Sequence, residues 1–211
     1  MNPDKLYDDG KWACYGGHSP VINVFRYFHQ LNVEMEYIIN TQTFPLSFKK
    51  NKFICSPLNK YKNSYLLMKG IVKGYIKEGK EEITTWMAHE GELIGYIVHP
   101  GFEDEYTDSY IMALEDVEAI AIPQAMIKQL YLNFDVANYI GRILTQLHYA
   151  QACERVFISR LQSAERRYLR FKQSYPYLIN RVPLKHIASF LCMRLETLSR
   201  VRAKLAGHHK K

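Results

Sequence analysis

The chain has 211 residues, 47% of them hydrophobic, 13% aromatic and 23% charged, with a formal net charge of +7. That is enough apolar material for a core and too much for a disordered chain, and the length suits one large or two modest domains. No run approaches the roughly 20 apolar residues of a membrane span, and the opening MNPDKLYDDG has neither the basic start nor the apolar stretch of a secretion signal, so the expected location is cytoplasmic.

Residues 1–20 carry Gly10, Gly16, Gly17 and Pro20 with little periodicity, and an irregular or partly ordered arm is expected there. From Val21 to Ile39 the apolar positions Val21, Val24, Phe25, Phe28, Leu31 and Met35 recur at helical spacing, with Asn40 as the stop, so one or two helices are expected. Between Phe44 and Ile122 short stretches rich in Val, Ile, Thr, Tyr and Phe alternate with Gly and Pro, the pattern of compact antiparallel β structure. Within it, Tyr75 to Lys77 and Glu82 to Trp86 flank Glu78-Gly79-Lys80 and read as a hairpin, because Gly79 can take the positive φ that a tight turn demands. The economical interpretation is a β-barrel or roll of about 80 residues.

After Pro123 the helical period returns and from Phe134 it runs long, through Val136, Ile140, Ile143, Leu147, Ala150, Cys153 or Glu154, Phe157 and Leu161. Alternating steps of three and four mark a helix that buries one narrow stripe. Two partners fit: the helix's own β domain, or a second copy of the chain, with Ala150 and Ala152 allowing close approach.

The positive charge is concentrated after this helix. From Glu154 onward there are 14 Lys or Arg against three acids, whereas the first 153 residues hold 14 basic and 18 acidic residues. Such asymmetry points to a polyanion, since neutralised phosphates release counterions, but it does not separate DNA from RNA or an acidic membrane. The four cysteines are scattered, no CxxC pair or CxxC…HxxxH spacing is present, and no metal site is expected. No P-loop, G-x-G-x-x-G, G-x-S-x-G or H-E-x-x-H motif is present either, so neither catalytic residues nor a required cofactor are expected and the chain does not read as an enzyme.

Within the basic quarter, LKHIASFLCMRLETLSRVRAKL (184–205) reads as two short amphipathic helices across a tight break. Leu184, Ile187, Ala188 and Leu191 form one apolar face and Leu195, Leu198, Val201 and Leu205 another, while Arg194, Glu196, Thr197, Ser199, Arg200, Arg202 and Lys204 fall off the second stripe. A polar, basic helix presented by a partner helix suits a recognition helix in the DNA major groove.

These residues resemble the Crp/Fnr family of bacterial transcription regulators, whose members often read IASxLGIxxETLSRxxxxL here. The matching positions are Ile187, Ala188, Ser189, Leu191, Glu196, Thr197, Leu198, Ser199, Arg200 and Leu205, and the likeness extends to LQSAERRYLRF (161–171), KEEITTWMAHEGELIG (80–95) and MALEDVEAIAI (112–122). The resemblance implies an α+β architecture: an arm and helices over 1–43, a jelly-roll-like antiparallel cyclic-nucleotide-binding-type sensor over 44–132, a dimerisation helix over 133–161 (Val136 to Leu161), and a helix-turn-helix domain over 162–211. It implies a homodimeric, sequence-specific DNA-binding regulator with double-stranded DNA and RNA polymerase as partners and no membrane. Glu196 and Arg200 then take the positions that read base edges, where Arg pairs with guanine N7 and O6 and Glu accepts from cytosine N4. Lys185, His186, Thr197 and Ser199 are expected at phosphates or groove edges, with Arg194 and Lys204 completing the interface.

Three features depart from the family pattern. The turn position that is usually Gly is Cys192, so a non-Gly residue is expected at positive φ, at a cost on the order of 1 kcal/mol; Leu195 replaces a Pro or polar residue; and the chain ends at Lys211 without room for a full two-stranded wing. In the sensor, the expected effector pocket comprises Gly91, Glu92, Gly95, Tyr96, Tyr106 and Thr107. The Gly-rich turn is kept, but Tyr96 stands at the ribose-binding Glu and Thr107 at the phosphate-binding Arg, beside Glu103, Asp104, Glu105 and Asp108, so cyclic AMP is not the expected effector. Tyr96, Phe102, Tyr106 and Tyr110 can line a pocket for an apolar effector or belong to the core, and a regulator without a ligand also fits. The competing functional reading is a β-roll signalling or small-molecule-binding module whose basic tail binds a protein or RNA.

Overall fold

A computed structural model describes residues 10–57, 62–95 and 109–208. The architecture is α+β. Eight strands form two antiparallel four-stranded sheets, and helices precede and follow them. One sheet has the order β1-β8-β3-β6, with β1 Phe44–Phe48, β3 Asn63–Lys69, β6 Leu93–Ile94 and β8 Val117–Pro123. The other has the order β2-β7-β4-β5, with β2 Phe53–Cys55, β4 Val72–Glu78, β5 Glu81–Ala88 and β7 Tyr110–Ala113.

The period of two along a strand explains how the sheets pack. On β8, Ala119 and Ala121 point between the sheets, where they meet Leu67, Val72, Ile111 and Ala113, while Ile120 and Ile122 point the other way. Both faces are apolar, so the outer one also requires a cover. Helices α1 (Pro20–Phe28), α2 (Val33–Gln42), α3 (Gln124–Asn133) and the first turns of α4 (Asp135–Arg160) supply it through Val21, Ile22, Met35, Ile39, Met126, Leu130 and Ile140. The β4/β5 hairpin forms as expected, with Gly79 at φ +61°. Gly74 pairs with Trp86 across this hairpin, and any Cβ there would run into the indole.

One detail of the first forty residues refines the expectation and one differs from it. The irregular arm contains an ordered turn at Ala13–Tyr15, and Trp12 beside it is 1% exposed, its indole N–H donating to the carbonyl oxygen of Asn40 at 3.0 Å. Asn40 is not a helix stop; it sits inside α2 and its side-chain oxygen accepts from the backbone N–H of Ser19 at 2.8 Å.

The long helix α4 also departs from a single stripe. Val136 and Ile140 pack into the chain's own core, and Ile158 near the far end is buried against α5 (Ala164–Ser174) and the elements beyond it. In between, the stripe itself and its flank are left open: Leu147 is 49% exposed and Phe157 54%, with Tyr139, Tyr149 and Val156 also exposed. Tyr139, Ile143, Gln146, Ala150, Cys153 and Phe157 follow steps of four and three, which is the spacing of a helix-pairing seam. No helix among the described residues is long and apolar enough to cross a membrane.

Candidate nucleic-acid interface

The two helices of the motif are α6 (Leu184–Phe190) and α7 (Leu195–His208). Pro183 caps α6, and His186 and Ile187 donate their N–H groups to its carbonyl. The exit from α6 is a Schellman turn: Met193 N donates to Ala188 O at 3.0 Å and Cys192 N to Ser189 O at 3.0 Å, with Cys192 in the left-handed region at φ +50°. The sequence expectation for Cys192 therefore holds, and a Cβ is carried where glycine is favoured. Ala188, Leu191 and Leu198 fill the angle between the helices.

Helix α7 is two-faced. Leu198 is fully buried, with Val201 and Leu205 beside it, while Arg194, Glu196, Ser199, Arg200 and Lys204 are exposed. Glu196, Arg200 and Lys204 are four residues apart and so line one outward stripe. Two of the expected contacts are already engaged: the Ser199 hydroxyl donates to the carbonyl of Leu195 at 3.0 Å, and the Lys204 ammonium pairs with Glu165 of α5 at 2.6 Å. Thr197 is half-buried, and Lys185, on α6, is exposed.

His186 does not belong with them. It is 8% exposed and faces the roll, not solvent, so it is unavailable to a phosphate. Its Nδ1 lies 3.4 Å from the ammonium of Lys73 on β4, which is itself fully buried, donates to Glu82 of β5 at 2.5 Å and stands 4.2 Å from the centre of the Tyr75 ring. Burial, the Lys73 ammonium and Lys185 together push the imidazole down to about 4, against the pull of Glu82. With the ring neutral, Nδ1 is the acceptor of the Lys73 hydrogen bond. Burial lowers Lys73, an effect that Glu82 partly offsets, while Glu82 stays below the usual carboxylate range because Lys73 outweighs its own desolvation.

Two further contacts seat α6 on the roll. Ser189 accepts from the backbone N–H of Thr84 at 2.9 Å and donates to the carbonyl of Glu82 at 3.3 Å. Arg181, just before α6, forks onto Glu90 at 2.6 and 2.9 Å and onto Glu115 at 2.6 and 3.1 Å. One apolar cluster joins Ile71, Met87 and Leu114 of the roll to Phe171, Ile187, Phe190 and Leu191. Neither Lys73 nor Glu82 stands out in sequence; the strand KGIVKGYIK reads as surface-facing at its lysines.

The effector-pocket residues are only partly described. Tyr96, Tyr106 and Thr107 lie outside the described residues. Glu92 is committed elsewhere: it accepts from the backbone N–H of His89 at 2.8 Å and from Gln151 of α4 at 3.0 Å, and His148 of α4 donates to the carbonyl of Leu93 at 3.0 Å. Gly91 and Gly95 take positive φ, and Gly95 lies so close to Ser64 that a Cβ would clash. Among the described residues no cluster of three or more His, Cys, Asp or Glu could hold a metal ion.

A roll of two four-stranded sheets, a long helix and a terminal helix-turn-helix match solved structures over most of the chain. A protein from Eubacterium rectale assigned to the crp/fnr family of transcriptional regulators superposes with a TM-score of 0.68 at 15% identity, covering 90% of this chain and 88% of that one. The chain has the fold of the Crp/Fnr regulators. The c-di-GMP responsive global regulator CLP of Xanthomonas campestris matches with a TM-score of 0.62 at 15% identity over 84% of this chain and 93% of that one. A cyclic nucleotide-binding domain containing protein of Listeria monocytogenes matches at 0.65 and 10% identity, over 90% and 92%. No family model and no curated protein matches the sequence.

The Arg181 fork carries a pH signature. The Arg181 guanidinium, opposed by burial and helped by the Gly70 N–H, holds Glu90 down to about 2. A carboxylate whose folded value is depressed contributes stability that is full above its usual value of 4.5 and lost as pH falls from there towards 2. Arg181→Met therefore lowers the urea midpoint at pH 7, modestly because both carboxylates are partly exposed, and the difference from the native protein shrinks as pH drops below 4.5. Urea titrations at pH 7 and pH 3 measure it; a constant difference would assign the loss to packing alone.

Proposed function

We propose that the protein is a dimeric, sequence-specific DNA-binding transcription regulator of the Crp/Fnr type. The observation that carries this reading is α7: its apolar stripe is buried at Leu198 while Glu196, Arg200 and Lys204 stand outward in one row, and the seat of α6 on the roll leaves that row uncovered. A row with one acid and two cations at helical spacing can read base edges and hold phosphates together. Lys185 adds a cation at the start of α6, whereas His186 does not contribute.

A gel-shift titration against selected fragments tests it. A preferred site with steep salt dependence is expected, and Arg200→Ala costs about 1 to 3 kcal/mol at one base position while leaving random DNA nearly unaffected. Equal losses on specific and random DNA would overturn a reading role for Arg200.

Dimerisation is the second part of the proposal and rests on the open face of α4. The seam from Tyr139 to Phe157 is apolar or small at most positions and is largely exposed in the monomer, where His29 packs edge-on to Tyr139 and Arg170 lies over Phe157, and a second copy of the same seam would cover it across a two-fold axis. Sedimentation equilibrium at micromolar concentration is expected to give a dimer that Phe157→Glu converts to a monomer with unchanged helix content. A native monomer would end this proposal.

The third part concerns the effector. Glu92 is tied to α4 and to its own turn, and by sequence no arginine stands at the phosphate position, so the roll does not take cyclic AMP as its signal. Calorimetry with cyclic AMP is expected to show no binding in the micromolar range; a micromolar dissociation constant refutes it.

A further inference from the structure

The motif supplies a histidine that the DNA interface does not use. His186 points away from α7 and closes onto a buried pair, Lys73 and Glu82, on the β4/β5 hairpin. An ammonium with no exposed surface is costly unless its partners are fixed, and here one partner is the roll's own carboxylate while the other arrives only when the helix-turn-helix unit is seated. We propose that His186, Lys73 and Glu82 form an acid-sensitive latch that seats the helix-turn-helix unit on the roll and opens when the imidazole takes up a proton.

The charges around the ring set the sense of the switch. From β4 it faces Lys73, with Tyr75 beneath that ammonium and Lys77 next to Glu82; from β5, Glu82; from its own helix, Lys185. Neutral His186 accepts a hydrogen bond from Lys73. Protonated, it loses that acceptor and stands as a cation against Lys73 with Lys185 alongside, and Glu82, already paired, cannot neutralise all three. His186 is thus a positioning residue: it touches no DNA, and on the function proposed above it sets how firmly α6, and through the Schellman turn α7, is held on the roll.

The sign follows from linkage. The seated unit keeps the ring neutral and an unseated one leaves it near its usual 6.5, so seating is at full strength above pH 6.5 and weakens as pH falls through the range below it. Between pH 7.5 and 5.5 the seating equilibrium drops about 10-fold. Glu90 of the Arg181 fork does not titrate in that window, because it is held near 2. His89, which packs its ring on Tyr177 at the other end of the same interface, is the remaining imidazole there.

Hydrogen exchange on the full chain reads the latch without DNA. The amide of Thr84 is held by Ser189 of α6, so its protection reports seating directly. After correction for the intrinsic rate, the native protein is expected to lose about 10-fold of Thr84 protection between pH 7.5 and 5.5. His186→Asn, which keeps an acceptor in place of Nδ1 but takes up no proton, holds its protection within twofold over the same range, and His186→Lys has the low value already at pH 7.5. If native and His186→Asn proteins lose protection in parallel, the latch is refuted and the pH effect lies with His89 or elsewhere. Absence of DNA binding in the gel shift would overturn the proposed function while leaving this measurement intact.

Discussion

Helix α6 has seven residues, too few to hold helical form in water on its own, because a single turn fixes many dihedrals for very few hydrogen bonds. Its shape is therefore imposed from outside. Ile187, Ala188, Phe190 and Leu191 are buried in one apolar cluster with α5, α7 and three side chains of the roll, and Ser189 and His186 bind the β4/β5 hairpin by polar contacts. The angle at which α7 is presented depends on this one short helix being clamped from two sides. The cost of the left-handed Cys192, about 1 kcal/mol, is absorbed by the same cluster.

The roll meets a parallel constraint. A sheet whose central strand carries Ala119 and Ala121 on one face and Ile120 and Ile122 on the other has no face to give to water, so the helices before and after it are obligatory parts of the domain. Trp12 and Asn40 knit that cover together by a hydrogen bond between residues 28 apart. The same helical cover fixes the start of α4, and the stripe along the middle of α4 is left open. One continuous helix serves three environments: the helical cover of the roll at its start, an exposed seam along its middle where His148 and Gln151 also bond to the roll, and the helix-turn-helix unit near its end.

What could be read from the sequence follows the range of the interactions involved. The β4/β5 hairpin, the two helices of the helix-turn-helix and the positive φ of Cys192 are set by neighbours within a few residues, and each is legible from Gly79, from the apolar stripes and from the motif alignment. The order of sheet, long helix and helix-turn-helix was legible too, because each changes the hydrophobic period. The burial of Trp12 was not, since the Gly-rich segment around it has no period and its partner lies in another helix. The fate of His186 was hidden for the same reason: its partner Lys73 is 113 residues away, and a lysine in a half-polar strand gives no sign of pointing inward. On α4 the period was right, but the stripe is divided among neighbours, Val136 and Ile140 going to the chain's own core while Ala150, Cys153 and Phe157 stay exposed, because a three-four repeat says that a stripe exists without saying which neighbour meets each turn of it.

On the proposed function, the ion pair between Lys204 and Glu165 bears on how α7 would meet a polyanion. An ammonium that already has a carboxylate at 2.6 Å must be shared or surrendered when a phosphate approaches, so it would neutralise that phosphate less fully and displace fewer of the cations condensed on the nucleic acid. The number of cations visible on α7 thus overstates the number of counterions that binding releases. On that proposal Glu165 would act as an internal competitor for the same site, tempering attachment to arbitrary sequence and leaving the discrimination between sequences to Glu196 and Arg200.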